Sequence, residues 1–315
     1  ALSSAASDVY KRQKVLRSLG HDVQCLVPNK YPGFLSWMPG IRDVIIAKEE
    51  NERAIGAVDN ADIIFFLDFN RIDRLENLSR HIIDNRKAVR ILIDHHLDPP
   101  ADEYTLVFSD PTSCSTSYLV YQITERLTGL DVFDREAAES LYVGIMTDTG
   151  NFSFSFLTPG LFRAVAGLIE KGINIPDINS KVYNSYSEGR VRLLGYVLLD
   201  KMRMIENGRA AYIALKENEM RRFDFQVGDS EGFVNYPLSI ASVQMSAMFI
   251  ETHKFIRISF RSRGDVDVSL FASKYFNGGG HKNASGGKSY DTIEKTVARF
   301  EQAVTEFFHP AKMPE

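Results

Sequence analysis

Two short apolar runs, each closed by an aspartate, constrain this chain more than any other feature. Residues 62–67 read Asp62-Ile63-Ile64-Phe65-Phe66-Leu67, and residues 89–93 read Val89-Arg90-Ile91-Leu92-Ile93. They are nearly continuous rather than alternating, as strands buried on both faces require. Asp68 closes the first run, and Asp94, followed by His95 and His96, closes the second. Helical patterns follow over residues 115–127 and 135–147, the latter with Asp134 as N-cap and Gly150 beyond its end. Strands alternating with helices imply an α/β lobe, a mostly parallel sheet flanked by helices. Upstream, residues 5–19 suit a helix stopped by Gly20, and residues 22–27 a strand ended by Pro28. Residues 161–171 suit a further amphipathic helix stopped by Gly172.

The pattern then changes. A helix expected over 187–199 has no strand partner nearby and reads as a linker between lobes. Strands at 210–215, 243–250 and 255–261, followed by a helix over 291–308 with Asp291 as its N-cap, indicate a smaller α+β domain. The expected division is 1–186, a linker at 187–205, and 206–315, and 315 residues leave room for one large domain or two ordinary ones.

Composition removes several classes. With 44% hydrophobic and 25% charged residues, the chain is neither disordered, collagen-like nor a disulfide scaffold. A net charge of −4 argues against a generally basic nucleic-acid binder, so phosphate must be met by a local patch or by metal ions. The two cysteines, Cys25 and Cys114, match no zinc spacing and read as reduced, buried thiols. No apolar run reaches the ~18–20 residues that would cross a bilayer, and no signal peptide is visible, so no membrane association and a cytoplasmic location are expected.

The acidic endings carry the chemistry. Asp68 and Asp94 stand at the carboxyl ends of parallel strands, where open α/β sheets place their sites. Asp148, in Gly144-Ile145-Met146-Thr147-Asp148-Thr149-Gly150, falls near the end of a helix and can reach the same rim. Carboxylates with imidazole suit Mn²⁺ or Mg²⁺. Two such ions can share a hydroxide and clamp an in-line phosphoryl displacement. Taken singly, Asp68 reads as a capping residue and Asp148 as an ordinary charged helix end. Three adjacent ionisable groups after a buried strand are costly unless paired or ligated. In the second domain, residues 276–287 form a glycine-rich loop whose backbone N–H groups could approach an anion. His281 and Lys282 add donors there, and Arg261 and Arg263 lie close in sequence. Phe69, Tyr236 and Phe276 are candidate base-stacking rings, each of them also a natural core residue.

These motifs resemble the DHH phosphoesterase family with its DHHA1 domain. The likeness rests on Asp94-His95-His96 with Asp68 and Asp148, on residues 67–70, 93–97, 115–117, 144–150 and 228–232, and on the run 276–281 preceded by Arg261-Ser262. It covers nearly the whole chain from about Val15 and is closest to the branch acting on very short RNA. The resemblance implies a two-lobed hydrolase with a cleft, using two Mn²⁺ ions, with Mg²⁺ as a substitute. It assigns Asp68, His95 and Asp148 as metal ligands and His96, beside Asp94, as the catalytic, phosphate-contacting element. It assigns Arg261, Ser262, Gly278, Gly279, Gly280 and His281 to the nucleotide or its terminal phosphate, and gives Ser115 and Ser117 no firm role. Implied substrates are short RNA oligonucleotides and 3′-phosphoadenosine 5′-phosphate, and the resemblance allows a homodimer.

One departure matters. The family begins with a strand ending in a His-x-x-Pro-Asp-Gly-Asp type motif that adds metal ligands, and that motif is absent here, while Ser7-Asp8-Val9-Tyr10-Lys11-Arg12-Gln13 fits the family poorly. The expectation is that the motif stood just before Ala1 and that the chain without it binds metals weakly and is nearly inactive. Alternatives are a family phosphodiesterase for cyclic dinucleotides, polyphosphate or long single-stranded DNA, a non-catalytic nucleotide-binding protein, and a structural protein with capped acidic rims.

Overall fold

A computed structural model describes residues 16–17, 20–75, 78–153 and 156–309. The helix expected over residues 5–19 and the segment 7–13 lie almost wholly outside the described residues. The chain divides into two compact units, Ala1–Ser185 and Tyr186–Glu315.

In the first unit, β1 (Leu26–Val27) pairs in parallel with β2 (Ile45–Ile46). β1 is shorter than the strand expected over 22–27, and β2 lies in a stretch that the sequence pattern left unassigned. The two aspartate-ended runs are β3 (Ile63–Leu67) and β4 (Val89–Asp94), which pair in parallel with Leu67 opposite Ile93. β4 also pairs in parallel with β5 (Leu106–Ser109), so the sheet order is β3-β4-β5. Successive residues feed opposite faces: Phe66 and Leu92 join one apolar cluster, and Leu67 and Ile93 join another with the helices Thr116–Thr128, Arg135–Asp148 and Pro159–Glu170. Burial on both faces holds only toward the carboxyl ends. Ile63 and Val89 are exposed, whereas Phe66, Leu67, Leu92, Ile93 and Asp94 are buried.

The caps are chemical. Asp134 accepts from the Ala137 N–H at 2.9 Å, as the sequence implied. Ser115 caps its helix by accepting from Tyr118 N–H at 3.0 Å, which supplies the role its motif lacked. Cys25 and Cys114 are buried thiols, not joined to each other. No helix among the described residues is long and apolar enough to cross a membrane.

The second unit is a mixed sheet of six strands, ordered β10-β11-β9-β8-β7-β6. They are β6 (Met202–Ile205), β7 (Ala210–Leu215), β8 (Met245–Glu251), β9 (Ile256–Ser262), β10 (Gly279–His281) and β11 (Ala284–Ser289). All neighbours are antiparallel except β7 and β8. One face packs Phe249, Ile258 and Phe260 against the helices Val268–Phe276 and Ile293–Phe308. The other face is covered over β7 and β8 by Leu193, Val197, Phe233 and Val234. The helix Glu188–Tyr196 therefore packs into the core of the second unit. Two expectations change. The glycine-rich stretch is a hairpin, not a loop. The last helix is capped by Thr292, one residue after Asp291. Phe276 is 1% exposed among Phe260 and Phe271, so it stacks on the core and not on a base.

Candidate functional site

The rim of the first unit's sheet draws together residues far apart in sequence. Asp68 leaves β3 with φ of 65°, a left-handed conformation uncommon outside glycine, and is buried. Its N–H donates to the Ile93 carbonyl at 3.3 Å, which ties the end of β3 to β4. The turn aims the Asp68 carboxylate at His95, whose Nε2 lies 3.3 Å from Asp68 Oδ1. On its other side His95 Nδ1 meets the Ser113 carbonyl at 3.2 Å. A carbonyl only accepts, so Nδ1 carries a proton and Nε2 is the atom turned toward the carboxylates. Asp148, the last residue of the helix Arg135–Asp148, completes the group. One ligand atom each from Asp68, His95 and Asp148 lies within 4.8 Å of the others.

A second group shares Asp68. Ligand atoms of Asp68, Asp94 and His96 also lie within 4.8 Å of one another. Asp94 is fully buried and accepts from His96 Nδ1 at 2.7 Å through Oδ1, while its Oδ2 is buried with no hydrogen-bond partner among the described residues. The two imidazoles meet edge to face at 5.0 Å.

The electrostatics are those of a cation site. Burial alone would raise the Asp68 carboxyl, but the hydrogen bond and charge of His95, with the charge of His96, hold it well below its ordinary range. Burial alone would lower His95, and Asp68 and Asp148 outweigh it, raising the imidazole to about 9. Asp148 sits where the negative end of a helix dipole disfavours a carboxylate. Three carboxylates at one rim with two imidazoles form a donor set for a hard or borderline divalent cation. The buried Asp94 oxygen without a hydrogen is what such a site leaves. Asp68, His95 and Asp148 therefore fit an ion of this class.

The sequence reading passed over two residues of this site. Thr116 is fully buried and donates from Oγ1 to Asp68 Oδ1 at 3.2 Å, and Ser113 orients His95 through its backbone. The signal available was the polar segment 115–117, whose middle residue was not singled out.

In the second unit, Arg261 projects from β9 opposite Ala284 on one side and Ser246 on the other. Its Nη1 donates to the Phe260 carbonyl at 2.9 Å, and among the described residues it forms no ion pair. Burial lowers its basicity, opposed by the charge of Glu231. The neighbouring Ser246 hydroxyl is buried without a hydrogen-bond partner among the described residues. Gly279 and Gly286 face each other across β10 and β11. A Cβ on Gly279 would meet no atom within 4 Å, whereas one on Gly278 would lie 2.0 Å from the Gly286 carbonyl oxygen. Gly280 adopts φ of 146°, a conformation few other residues take. Ser262 is committed locally, donating to the Val266 carbonyl at 2.6 Å and accepting from Asn283 at 2.9 Å. Lys282 pairs with Asp265 at 3.0 Å.

Comparison with known proteins gives two family matches: the DHH family, N-terminal domain, over residues 2–145, and the DHHA1 domain over residues 207–309. The bifunctional oligoribonuclease and PAP phosphatase NrnA of Bacillus subtilis is 31% identical over 218 residues, 66% of this chain and 66% of the relative. A probable enzyme of the same name from Streptococcus mutans is 28% identical, covering 82% of this chain and 77% of the relative. Among solved structures, an exopolyphosphatase-related protein from Bacteroides fragilis superposes with a TM-score of 0.90 at 40% identity, over 97% of this chain and 89% of that one.

Proposed function

Because the chain belongs to the DHH phosphoesterase family and carries its DHHA1 domain, we propose that it is a metal-dependent hydrolase of phosphate esters acting on very short RNA and on 3′-phosphoadenosine 5′-phosphate. The observation that carries this reading is the meeting of Asp68, His95 and Asp148 at one rim. These residues would hold the ion, Mn²⁺ by preference and Mg²⁺ as a substitute. A bound divalent cation supplies Lewis acidity and a water of lowered pKa.

The side chains divide the remaining work. Ser113 and Thr116 fix His95 and Asp68 in position. His96, its Nδ1 donating to Asp94, is the residue that would contact a phosphoryl oxygen. In the second unit, Arg261 offers a guanidinium without a carboxylate, and Gly279 leaves space for a phosphate to approach backbone. The two names carried by the Bacillus subtilis relative fit one substrate shape, a terminal nucleotide bearing phosphate on its sugar.

The test is hydrolysis of a diribonucleotide and of 3′-phosphoadenosine 5′-phosphate, with Mn²⁺, by protein expressed from its complete reading frame. Asp68→Asn, His95→Ala and Asp148→Asn should each weaken Mn²⁺ binding at least tenfold and remove activity. Mn²⁺ binding unchanged by all three would end the metal assignment. Turnover of polyphosphate alone would redirect the substrate.

A further inference from the structure

The segment that carries His96 has few restraints of its own. β4 ends at Asp94, and residues 95–100 form neither helix nor strand. Leu97 is 46% exposed, so burial does little to fix it, and Asp98 turns with φ of 51° into the left-handed region. Among the described residues, neither Leu97 nor Asp98 exchanges a hydrogen bond with another backbone group. The His96 ring is fixed at Nδ1 by Asp94, but one contact at the tip of a side chain does not fix the backbone behind it. Asp68 and His95 have separate supports in Thr116 and the Ser113 carbonyl.

A further restraint comes from the loop that follows β3. Asn70 donates from Nδ2 to the Leu97 carbonyl at 2.6 Å, across 27 residues of chain. A carbonyl only accepts, so the amide nitrogen is the atom that faces it. The loop that presents Asn70 is itself well tied. The Asp68 N–H donates to the Ile93 carbonyl at 3.3 Å, and the Ile72 N–H to the Glu103 carboxylate at 3.3 Å. Between them the Phe69 ring meets the buried Phe66 edge to face at 5.8 Å. Asn70 is 6% exposed, and its Oδ1 is buried with no hydrogen-bond partner among the described residues. A buried acceptor left unmatched is costly, and an apolar side chain of the same size would avoid that cost. Stability therefore does not explain the amide, whereas its contact with the segment behind His96 does.

We propose that Asn70 is a positioning residue for the reaction: through the Leu97 carbonyl it holds the backbone behind His96, and so keeps the imidazole where it would contact a phosphoryl oxygen. The inference deepens the role given above to His96 and rests on it. Asn70 touches neither substrate nor ion; it acts through His96. Because Asp68 and His95 keep their own supports, loss of the amide should fall on turnover and spare both the fold and the cation.

The test is Asn70→Leu, which fills a similar volume and offers no donor, in protein expressed from its complete reading frame. The Leu97 carbonyl can turn to water, so the variant should melt within about 3 °C of the unaltered protein. With Mn²⁺ and a diribonucleotide, kcat should fall by about 10–100-fold, while KM and Mn²⁺ affinity each stay within about threefold. Asn70→Ala should lose turnover in the same way, and serves if leucine prevents folding. A second readout needs no activity. In EDTA, nitrogen-15 NMR of the imidazoles, assigned with His95→Ala and His96→Ala, follows the Nδ1 proton that His96 donates to Asp94 and the one that His95 donates to Ser113. The His96 signal should shift or broaden in Asn70→Leu, and the His95 signal should not. A folded variant with unaltered kcat would overturn the proposal. So would His96 signals identical to those of the unaltered protein. A kcat loss matched by an equal loss of Mn²⁺ affinity, or by melting lowered by more than about 10 °C, would reduce Asn70 to a structural staple and overturn it as well. If the unaltered protein hydrolyses neither proposed substrate, the substrate assignment fails, and the imidazole signals alone decide on Asn70.

Discussion

Adjacent glycines at 278 and 279 should fail in opposite ways. A Cβ on Gly278 would lie 2.0 Å from the Gly286 carbonyl oxygen and 2.9 Å from the Gly286 carbonyl carbon and Gly287 Cα. Ordinary carbon–oxygen contacts begin near ~3.3 Å, so the β11 backbone would have to retreat by more than about 1 Å. The pairing of β10 with β11 consists of Gly279 with Gly286, Gly280 with Ser285 and His281 with Ala284. With each ladder hydrogen bond worth ~0.5–1.5 kcal/mol, releasing the hairpin costs about 2–4 kcal/mol, similar to the usual strain of overpacking. Gly278→Ala should therefore lower the melting temperature by about 10 °C, at roughly 3–5 °C per kcal/mol for a unit of this size. Gly279→Ala places its methyl in open space and should shift stability by less than about 1 kcal/mol. The same methyl stands where the proposed phosphate approaches, and should weaken 3′-phosphoadenosine 5′-phosphate binding at least tenfold. Calorimetry and competition anisotropy read the two effects separately. The reasoning fails if Gly278→Ala melts with the unaltered protein, or if Gly279→Ala is as unstable as Gly278→Ala or binds normally.

Thr116→Val removes the hydroxyl that positions Asp68, and Mn²⁺ affinity should drop by about tenfold, read by calorimetric titration, with the fold retained. Asp94→Asn leaves His96 in place but changes what its Nδ1 meets and removes a carboxylate from the donor set, so kcat and Mn²⁺ affinity should each fall by about 10–100-fold. In metal-free protein His95 is raised to about 9, so its pairing with Asp68 adds stability that is fully present below pH 6.5 and lost as pH rises through about 9. Melting in EDTA across that interval should show the loss, and Asp68→Asn should flatten it. Burial raises the thiols of Cys25 and Cys114, to about 12 and about 11, so neither should react with a disulfide reagent at pH 8 until the protein is unfolded.

Local chemistry was legible without coordinates. The continuous runs at 62–67 and 89–93 read as strands of a parallel sheet, covered on both faces toward their carboxyl ends, and the rule that sites sit at carboxyl ends turned Asp68 and Asp94 into candidates. Asp134, three residues ahead of the first apolar position of a helical pattern, announced its cap because capping is a contact between near neighbours. The glycine run misled for a related reason: glycine marks freedom of the backbone, and that freedom serves a close strand pairing at 278 as well as it serves a loop.

What the chain order could not reveal were pairings whose partners lie far apart. Thr116 reaches Asp68 across 48 residues, and Ser113 meets His95 across 18. Neither contact leaves a periodicity, because periods of 2 and 3.6 describe which side of one element is wet and not which element lies opposite. Likewise Arg257 and Lys288 are unremarkable residues until the antiparallel register of β9 and β11 sets them side by side. Residue type dictated which groups could bind a cation or a phosphate; only the folded register decided which of them meet.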